Sequence, residues 1–341
     1  NPHAAIRYVA PREEPRIFER VARELPPESL EIQPHPYGVE LGILLRMMKE
    51  TKARNLRAAL RQDFSRVSPA VAEEICRVAG VPPEARPQRL SSAQVELLFH
   101  AIPKVRILAP PTACLSPIGE DLLRRGLEAR VRADFAAAVT RPPSVYRGNP
   151  FQVEVGLAYG GGLPAEEPVE LCRFANRVPL QYQQSACAIT KAALSVDWKG
   201  YGLQQARGAL PAGPAIVFVH LASAWVPFTS ESKEAIASYP EIVKEVRLAL
   251  QEAGRRLGAF VRHRRRAAAR PGGGRPLPRR AQGRRAVSSR ASLQPGTVPV
   301  ANGAAAAHRD GRQAGGDAMT ADGRPTTDDR RPTTDDGRPT T

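Results

Sequence analysis

Lys233 is the residue whose type and surroundings point most directly to chemistry. It is the only cation in residues 226–237, VPFTSESKEAIA, where Thr229, Ser230 and Ser232 lie close to it. This stretch follows the apolar run PAIVFVHLAS and precedes a strongly periodic segment, which predicts a loop between a buried strand and a helix. A lysine ammonium is a compact point charge that suits a terminal phosphate. The other interpretation is an ordinary surface lysine.

No other residue pattern predicts a self-contained catalytic or metal centre. The four cysteines, Cys76, Cys114, Cys172 and Cys187, form no CxxC pair and no cluster with histidine, which argues against zinc. The three glycines of AYGGGLP follow a predicted strand, but neither GK[ST] nor GxGxxG accompanies them, so a turn is the simpler interpretation. His220 lies inside an apolar run and is predicted to be a hydrogen-bonded core histidine.

A group of basic residues in the helical part of the chain is the second candidate site. Cations within one helix–turn–helix unit can contact the phosphates of DNA. A solvated helix face explains the same residues equally well. The predicted DNA contacts are Lys49, Lys52, Arg54, Arg57 and Arg61, and Arg66 follows them in the sequence.

The net charge of +16 is unevenly distributed over the 341 residues. Residues 262–341 contain 17 arginines and seven aspartates, so they carry +10 of it. After residue 266 the chain has no Ile, Phe, Tyr, Trp or Cys, and it ends in near-repeats such as DGRPTT and DDGRPTT. This composition cannot bury enough apolar surface to offset the entropy of ordering. Residues 266–341 are therefore predicted to be disordered.

The first part of the chain is predicted to be mainly helical. Residues 1–34 suggest a short strand, an exposed helix over 15–25 and a proline-rich link. Residues 35–103 contain four apolar periodicities that predict four short helices. Residues 104–141 are interpreted as a linker that contains a short helix from about Gly119.

Two of the four predicted helices carry clear terminal signals. One begins with Ser68 as its N-cap and Pro69 at the first helical position, and it ends at Gly80. The other begins with Ser91 and Gln94, which have the spacing of a capping box. These signals favour tight links and a compact helical module.

Residues 142–265 are predicted to be α+β. Alternation over residues 151–157 predicts a half-buried strand, and the run LCRFANRVPL predicts a second one. AIVFVHLA predicts a third strand, central because nearly all of it is apolar. A helix capped by Ser185 precedes that strand, and a long amphipathic helix covers residues 241–265. The block is thus expected to form a small sheet with helices packed on it.

Several segments in order resemble the B subunit of DNA topoisomerase VI. They are PHPYGVELGILLRMMKETKARNLRAAL, FSRVSPAVAEEIC, APPTACLSPIGEDLL, RPPSVYRGNPFQVEVGLAYGGGLP, RFANRVPLQYQQSACAITKA and VDWKGYGL. The resemblance runs from about residue 1 to residue 265 and is dense and specific. The remaining tail resembles nothing in that family.

The resemblance implies a domain assignment. Residues 35–103 would be the helix-two-turn-helix domain of the family, and residues 142–265 would be its transducer domain with a left-handed βαβ crossover. Residues 226–237 would be the transducer loop, whose lysine, here Lys233, reaches the γ-phosphate of ATP bound in a neighbouring domain. The magnesium-holding Asn, the DxGxG turn and the glycine-rich lid of the family's ATPase domain do not occur here. The chain is therefore expected to be a C-terminal fragment that keeps only the end of that domain, in residues 1–34; the alternative is a protein that has lost ATP binding.

The resemblance also implies a function. The intact protein would be the B subunit of an ATP-dependent type IIB topoisomerase, an A2B2 enzyme that passes one DNA duplex through a double-strand break in another. It would use ATP and Mg²⁺, dimerise on ATP, bind double-stranded DNA and the topoisomerase VI A subunit, and lie in the cytoplasm at the nucleoid. No apolar run is long enough to predict a membrane span. The alternative is a non-catalytic DNA-binding and assembly module that docks the A subunit without ATP.

Overall fold

The computed structural model describes residues 2–269 and begins with a small hairpin. Its two antiparallel strands are β1 (Ile6–Tyr8), as predicted, and β2 (Arg16–Phe18). The helix predicted for residues 15–25 is wrong, because β2 occupies its start and no helix follows before residue 36. The β-branched and aromatic side chains of β2 favour a strand, and pairing with β1 supplies its hydrogen bonds.

Residues 35–103, called the helical module below, contain the four predicted helices around one hydrophobic core. Ser68 accepts a hydrogen bond from the Val71 N–H, Gly80 ends its helix at φ 68°, and Ser91 and Gln94 form both bonds of a capping box. The terminal signals are therefore confirmed. The identification of this module as a helix-two-turn-helix domain remains a prediction. The helices are α1 (Leu41–Glu50), α2 (Leu56–Asp63), α3 (Pro69–Ala79) and α4 (Ser92–Ala101).

The remaining described residues form a mixed sheet with helices on both faces. The strand order is β3-β5-β8-β6-β7, and β4 pairs with β5 outside that path. All neighbouring strands are antiparallel except β6 and β8, which are parallel. The elements are α5 (Glu120–Arg130), β3 (Phe135–Thr140), β4 (Ser144–Tyr146), β5 (Asn149–Tyr159), β6 (Glu170–Ala175), β7 (Val178–Pro179), α6 (Ala188–Leu194), β8 (Ala215–Ser223) and α7 (Pro240–Ala268).

β8 occupies the central position that its apolar sequence predicts. It pairs with β5 on one side and with β6 on the other. The chain passes from β6 through α6 to the parallel strand β8, so a βαβ connection is present. The left-handed sense of that connection remains a prediction. The predicted second strand proves to be two strands, β6 and β7, joined by a tight turn at Asn176 and Arg177, which both have positive φ.

β5 is buried on both faces, so its prediction as a half-buried strand is wrong. Val153, Val155 and Leu157 point into the core formed with α6 and α7. The opposite face is covered by α5, as shown by Gly156, where an added Cβ would lie 2.5 Å from a methyl group of Leu127. The alternation of apolar and polar residues suggests a solvent face, but Glu154 on that face is 0% exposed.

Two further boundaries differ from the sequence interpretation. The segment 104–141 is more than a linker, because it contains α5 and the strand β3, which pairs with β5 over six residues. The helix predicted to be capped by Ser185 begins later, with Cys187 as its N-cap and no side-chain capping bond. Ser185 instead lies in a short 3-10 turn. A side-chain cap is dispensable there because the backbone of the neighbouring loop bonds to this end of the helix, as described below.

α7 carries the predicted apolar stripe on the face that packs against the sheet and α6. Its last buried residue is Val261, and residues 262–269 are exposed. The helix continues to Ala268, beyond the predicted limit at 265; the rest of the predicted disordered tail, from residue 270, lies outside the described residues. Within residues 2–269, no helix has the length and apolar character needed to cross a membrane.

Candidate functional site

The loop that contains Lys233, residues 226–237, is called the Lys233 loop below, and it folds back on itself as a narrow hairpin. Phe228 and Ile236 form a β-bridge. The Thr229 N–H donates to the Ala235 carbonyl at 2.9 Å, and the Ala237 N–H donates to the Pro227 carbonyl at 2.7 Å. The base of the loop is therefore held by backbone hydrogen bonds on both of its arms.

The returning arm of the Lys233 loop is anchored in the core. Ala235 and Ile236 are each 0% exposed. The Ala188 N–H, at the first position of α6, donates to the Ile236 carbonyl at 2.8 Å. This bond satisfies one of the free N–H groups at the helix start, which a capping side chain would otherwise satisfy. A displacement of the loop therefore acts directly on α6.

Lys233 lies at the exposed tip of this hairpin. Its φ of 56° puts it in the left-handed region, and its N–H donates to the Ser230 carbonyl at 3.1 Å. The hydroxyls of Ser230 and Ser232 are hydrogen-bonded to each other at 2.7 Å. A non-glycine residue in this conformation costs about 1 kcal/mol or more, as it also does in the tight turn at Asn176 and Arg177.

The ammonium of Lys233 forms no salt bridge with any carboxylate of residues 2–269. Glu231 and Glu234 are near in sequence, but neither carboxylate pairs with it. An exposed ammonium has three donors, and a phosphate oxygen is a strong acceptor for them. The Lys233 ammonium is therefore exposed and has no ion-pair partner among residues 2–269, which suits an anion-binding residue and an ordinary surface lysine alike.

The base of the Lys233 loop is flanked by aromatic residues that sequence reasoning missed. Trp225 precedes the loop and Tyr239 follows it as the N-cap residue of α7. Both rings stack on Tyr146, with centroids 6.4 Å and 4.3 Å away. Because Tyr146 comes from β4, far away in sequence, no local pattern could have grouped these three residues.

The basic residues predicted to contact DNA are only partly available. Arg57 forms an ion pair with Glu73 of α3 at 3.0 Å and is half-buried. Arg61 is exposed one turn further along α2, and the remaining three lie at the end of α1 and in the link to α2. Those exposed side chains are Lys49, Lys52 and Arg54.

A buried carboxylate, Glu154, lies beneath the start of α5. Its two oxygens accept hydrogen bonds from the Ile118 N–H at 2.8 Å, the Gly119 N–H at 2.7 Å, the Thr140 hydroxyl at 2.9 Å and the ring of His220 at 2.8 Å. Burial by itself raises the pKa of Glu154, but the hydrogen bonds from His220 and the two backbone N–H groups outweigh it and lower the pKa. Glu154 therefore caps α5 from a strand of the sheet.

His220 is the hydrogen-bonded core histidine that the sequence predicts. It is 0% exposed and lies opposite Glu154 in the β5–β8 register. Its Nε2 accepts from the Arg177 N–H at 3.0 Å, so the proton of the neutral ring is on Nδ1 and is donated to Glu154. The signal available for this pair was a histidine in one strand and a glutamate in another, at positions that face each other when the strands pair.

Known proteins match this chain over the region just described. Residues 110–271 match the family model described as "Topoisomerase VI B subunit, transducer". The B subunit of type 2 DNA topoisomerase 6 from Methanosarcina mazei is 51% identical over 261 residues, which are 76% of this chain and 42% of that protein. The corresponding protein of Archaeoglobus fulgidus is 48% identical over 76% of this chain and 43% of its own length.

The chain thus spans less than half the length of these relatives. Among solved structures, the B subunit of DNA gyrase from Myxococcus xanthus matches 36% of this chain at 22% identity and a TM-score of 0.25, too low for a comparison of the folds. The resemblance to the B subunit of DNA topoisomerase VI is confirmed, and residues 110–271 belong to the transducer domain of that family.

Proposed function

We propose that this chain is the ATP-sensing transducer part of the B subunit of an ATP-dependent type IIB DNA topoisomerase. The observation that carries the proposal is the position of Lys233, a cation without an ion-pair partner among residues 2–269, held at the exposed tip of a loop whose base is buried. Its ammonium would donate hydrogen bonds to the γ-phosphate of ATP held by another domain of the same polypeptide.

Among the described residues, Lys233 is the one that we assign to the phosphate end of ATP. Lys233 can neutralise one phosphate charge without giving up a partner among those residues. Within residues 2–269 no group of three or more His, Cys, Asp or Glu side chains is placed to hold a metal ion. By the family resemblance, the Mg²⁺ that accompanies ATP would be held by the Asn of the ATPase domain.

The fold offers a route from Lys233 to the rest of the enzyme. Any force on the tip acts on α6 through Ile236 and on α7, which begins three residues after the loop. α7 has 29 residues and so spans about 43 Å. Its exposed end would carry the motion to the A subunit, which cleaves DNA.

The energetic requirement is that ATP binds one arrangement of two B subunits better than another. A ligand shifts an equilibrium only by its differential affinity for the two states. The contact between Lys233 and the γ-phosphate would supply part of that difference and favour the dimerised state. Passage of one duplex through a break in another would follow from the resulting movement of α7.

The test is Lys233→Ala in a B subunit that contains the ATP-binding domain, assembled with the A subunit. Loss of a charge-assisted hydrogen bond predicts that ATP-dependent relaxation of supercoiled DNA falls about tenfold or more while ATP turnover continues. Lys191→Ala, which removes an exposed lysine of α6, is the matched control and should leave relaxation unchanged. Unchanged relaxation by Lys233→Ala would refute the proposal, and relaxation without ATP would favour the assembly-module alternative.

We further propose that Lys49, Lys52, Arg54 and Arg61 contact the backbone of double-stranded DNA. Each lost phosphate contact lowers the slope of log affinity against log salt by roughly 0.9. Lys52→Ala should show that decrease, whereas Arg57→Ala should show less because Arg57 is already paired with Glu73. Equal slopes for Lys52→Ala and the unchanged protein would rule out this contact.

A further inference from the structure

The turn between β4 and β5, residues 146–148, contacts two parts of the molecule that are far apart in sequence. One is the helical module, through its first turn at residues 36–38. The other is the base of the Lys233 loop. This turn, called the hairpin joint below, has no role in the function proposed above.

The contact with the helical module is made by backbone atoms. A Cβ added to Gly148 would lie 2.5 Å from the Gly38 nitrogen, and a Cβ added to Gly38 would lie 2.7 Å from the Arg147 carbonyl oxygen. Gly148 also has a φ of 72°, which glycine adopts without cost. No side chain separates the two turns, so a movement of one displaces the other.

The contact with the base of the Lys233 loop is aromatic. Tyr146, the first residue of the joint, stacks on Trp225 and Tyr239, which flank the loop on either side. The guanidinium of Arg147 lies 5.5 Å from the ring centroids of Tyr146 and Tyr239. Stacked rings and a cation over a ring each contribute about 1 kcal/mol, so the joint and the loop base are held together.

The turn at residues 36–38 is itself fixed to residues 105–108, which follow the helical module and of which Val105 and Ile107 belong to its hydrophobic core. The Tyr37 hydroxyl accepts from the Ile107 N–H at 3.1 Å and donates to the Val105 carbonyl. The ring of His35 is hydrogen-bonded to the Leu108 carbonyl at 2.9 Å. The joint therefore contacts a rigid part of the module and not a free loop.

We propose that the hairpin joint couples the conformation of the Lys233 loop to the position of the helical module, with Tyr146, Arg147 and Gly148 as positioning residues. The role of this coupling in the enzyme rests on the proposed function: binding of ATP by Lys233 would shift the position of the helical module, which contains the candidate DNA contacts. The physical coupling itself requires no ligand. Contiguous packed contacts can carry such coupling, and demonstrating it requires perturbing one end and observing the other.

The test is hydrogen exchange of the full chain, measured by mass spectrometry without nucleotide. Gly38→Ala perturbs the joint from the helical module, and exchange of residues 226–237 should rise about fivefold or more because overpacking strains the contact. Gly42→Ala is the matched control, since nothing lies within 4 Å of an added Cβ there, and it should leave those residues unchanged. Faster exchange confined to the helical module in Gly38→Ala would overturn the proposal.

A second variant tests the opposite direction and does not require Gly38→Ala to fold. Trp225→Leu removes a half-exposed ring from the stack, and it should speed exchange at residues 36–38 by a similar factor. Tyr182→Leu, another exposed aromatic residue that takes no part in the stack, is its control. No change at residues 36–38 in Trp225→Leu would also overturn the coupling. Because neither readout involves ATP, failure here is distinct from failure of the Lys233→Ala assay.

Discussion

Replacing Glu154 by glutamine tests whether the buried carboxylate holds α5 on the sheet. The substitution keeps the shape of the side chain and changes one acceptor oxygen into an NH₂ donor. In the native protein, Oε2 accepts from the Ile118 N–H and from His220, and Oε1 accepts from the Gly119 N–H and from Thr140. Whichever way the new amide is turned, its NH₂ therefore faces a backbone N–H.

The cheaper orientation puts the NH₂ at the position of Oε1. The Thr140 hydroxyl can rotate there to accept, so only the Gly119 N–H loses its partner. In the other orientation the Ile118 N–H and His220 both lose theirs, because Nε2 of His220 already accepts from Arg177 and the ring cannot change tautomer. One unpaired buried N–H costs about 1–3 kcal/mol, and loss of the charge weakens the remaining bonds. Glu154→Gln should therefore lower the free energy of unfolding by about 2–4 kcal/mol.

Urea unfolding at pH 7 measures this difference. Glu128→Gln is the control, because Glu128 forms an exposed pair with Arg124 within α5, and its loss should cost less than about 1 kcal/mol. If Glu154→Gln is no more destabilising than Glu128→Gln, the carboxylate does not hold the helix and this reasoning fails.

The same carboxylate predicts a pH dependence. Burial opposes the charged form of Glu154, but its hydrogen bonds prevail, so its folded-state pKa lies below the ordinary value of 4.5. The unfolded state therefore binds the proton more readily, and the stabilisation is present above pH 4.5 and is lost as the pH falls through the folded-state pKa. The difference in stability between the unchanged protein and Glu154→Gln should shrink below about pH 4.5; a constant difference would contradict the sign of the shift.

Two further predictions concern the glycine turn after β5 and two cysteine thiols, of which Cys76 is buried and Cys172 is half-buried. Gly161→Ala should lower the free energy of unfolding by more than about 2 kcal/mol in the same urea assay. Gly161 has a φ of 67°, and a Cβ there would overlap the Arg132 carbonyl oxygen. Gly162→Ala is the control and should be neutral, because nothing lies within 4 Å of an added Cβ. Similar costs for both would argue against a packing role for the turn. Burial raises the pKa of Cys76 to about 11, and partial burial together with the adjacent Glu170 carboxylate raises that of Cys172 to about 12. At pH 8 both thiols should therefore react with iodoacetamide about 100-fold more slowly in the native chain than in urea, as measured by mass spectrometry. Equal native and denatured rates would show that these thiols are accessible.

The parts of the fold set by local chemistry can be predicted from the sequence. Ser68, Gly80 and Ser91 act within one helical turn of their own position, and the structure confirms each of them. The central position of β8 is predictable because a central strand is covered on both faces and therefore has apolar side chains along nearly its whole length. The predicted helix at residues 15–25 fails because pairing with a second strand, a non-local contact, decides the local conformation.

The candidate site is predictable in type but not in geometry. Lys233 stands out in the sequence as a lone cation in a loop, but the anchoring of that loop depends on the contact between Ile236 and α6, which no local pattern indicates. The sequence misplaces Glu154 because a glutamate in an alternating strand usually lies on a solvent face. Only the presence of α5 over that face, and of His220 on the next strand, explains its burial.

The central position of β8 has a consequence for the chain as it is synthesised. β5 is a nearly all-buried strand of 11 residues, and one of its two hydrogen-bonding edges is filled only by β8. Because β8 ends at Ser223, well after Tyr159, a ribosome adding roughly 5–20 residues per second needs about 3–13 s to produce it. During that interval β5 presents an unpaired apolar edge, the kind of surface that recruits other strands. The nascent protein is therefore most vulnerable to aggregation before its central strand has emerged.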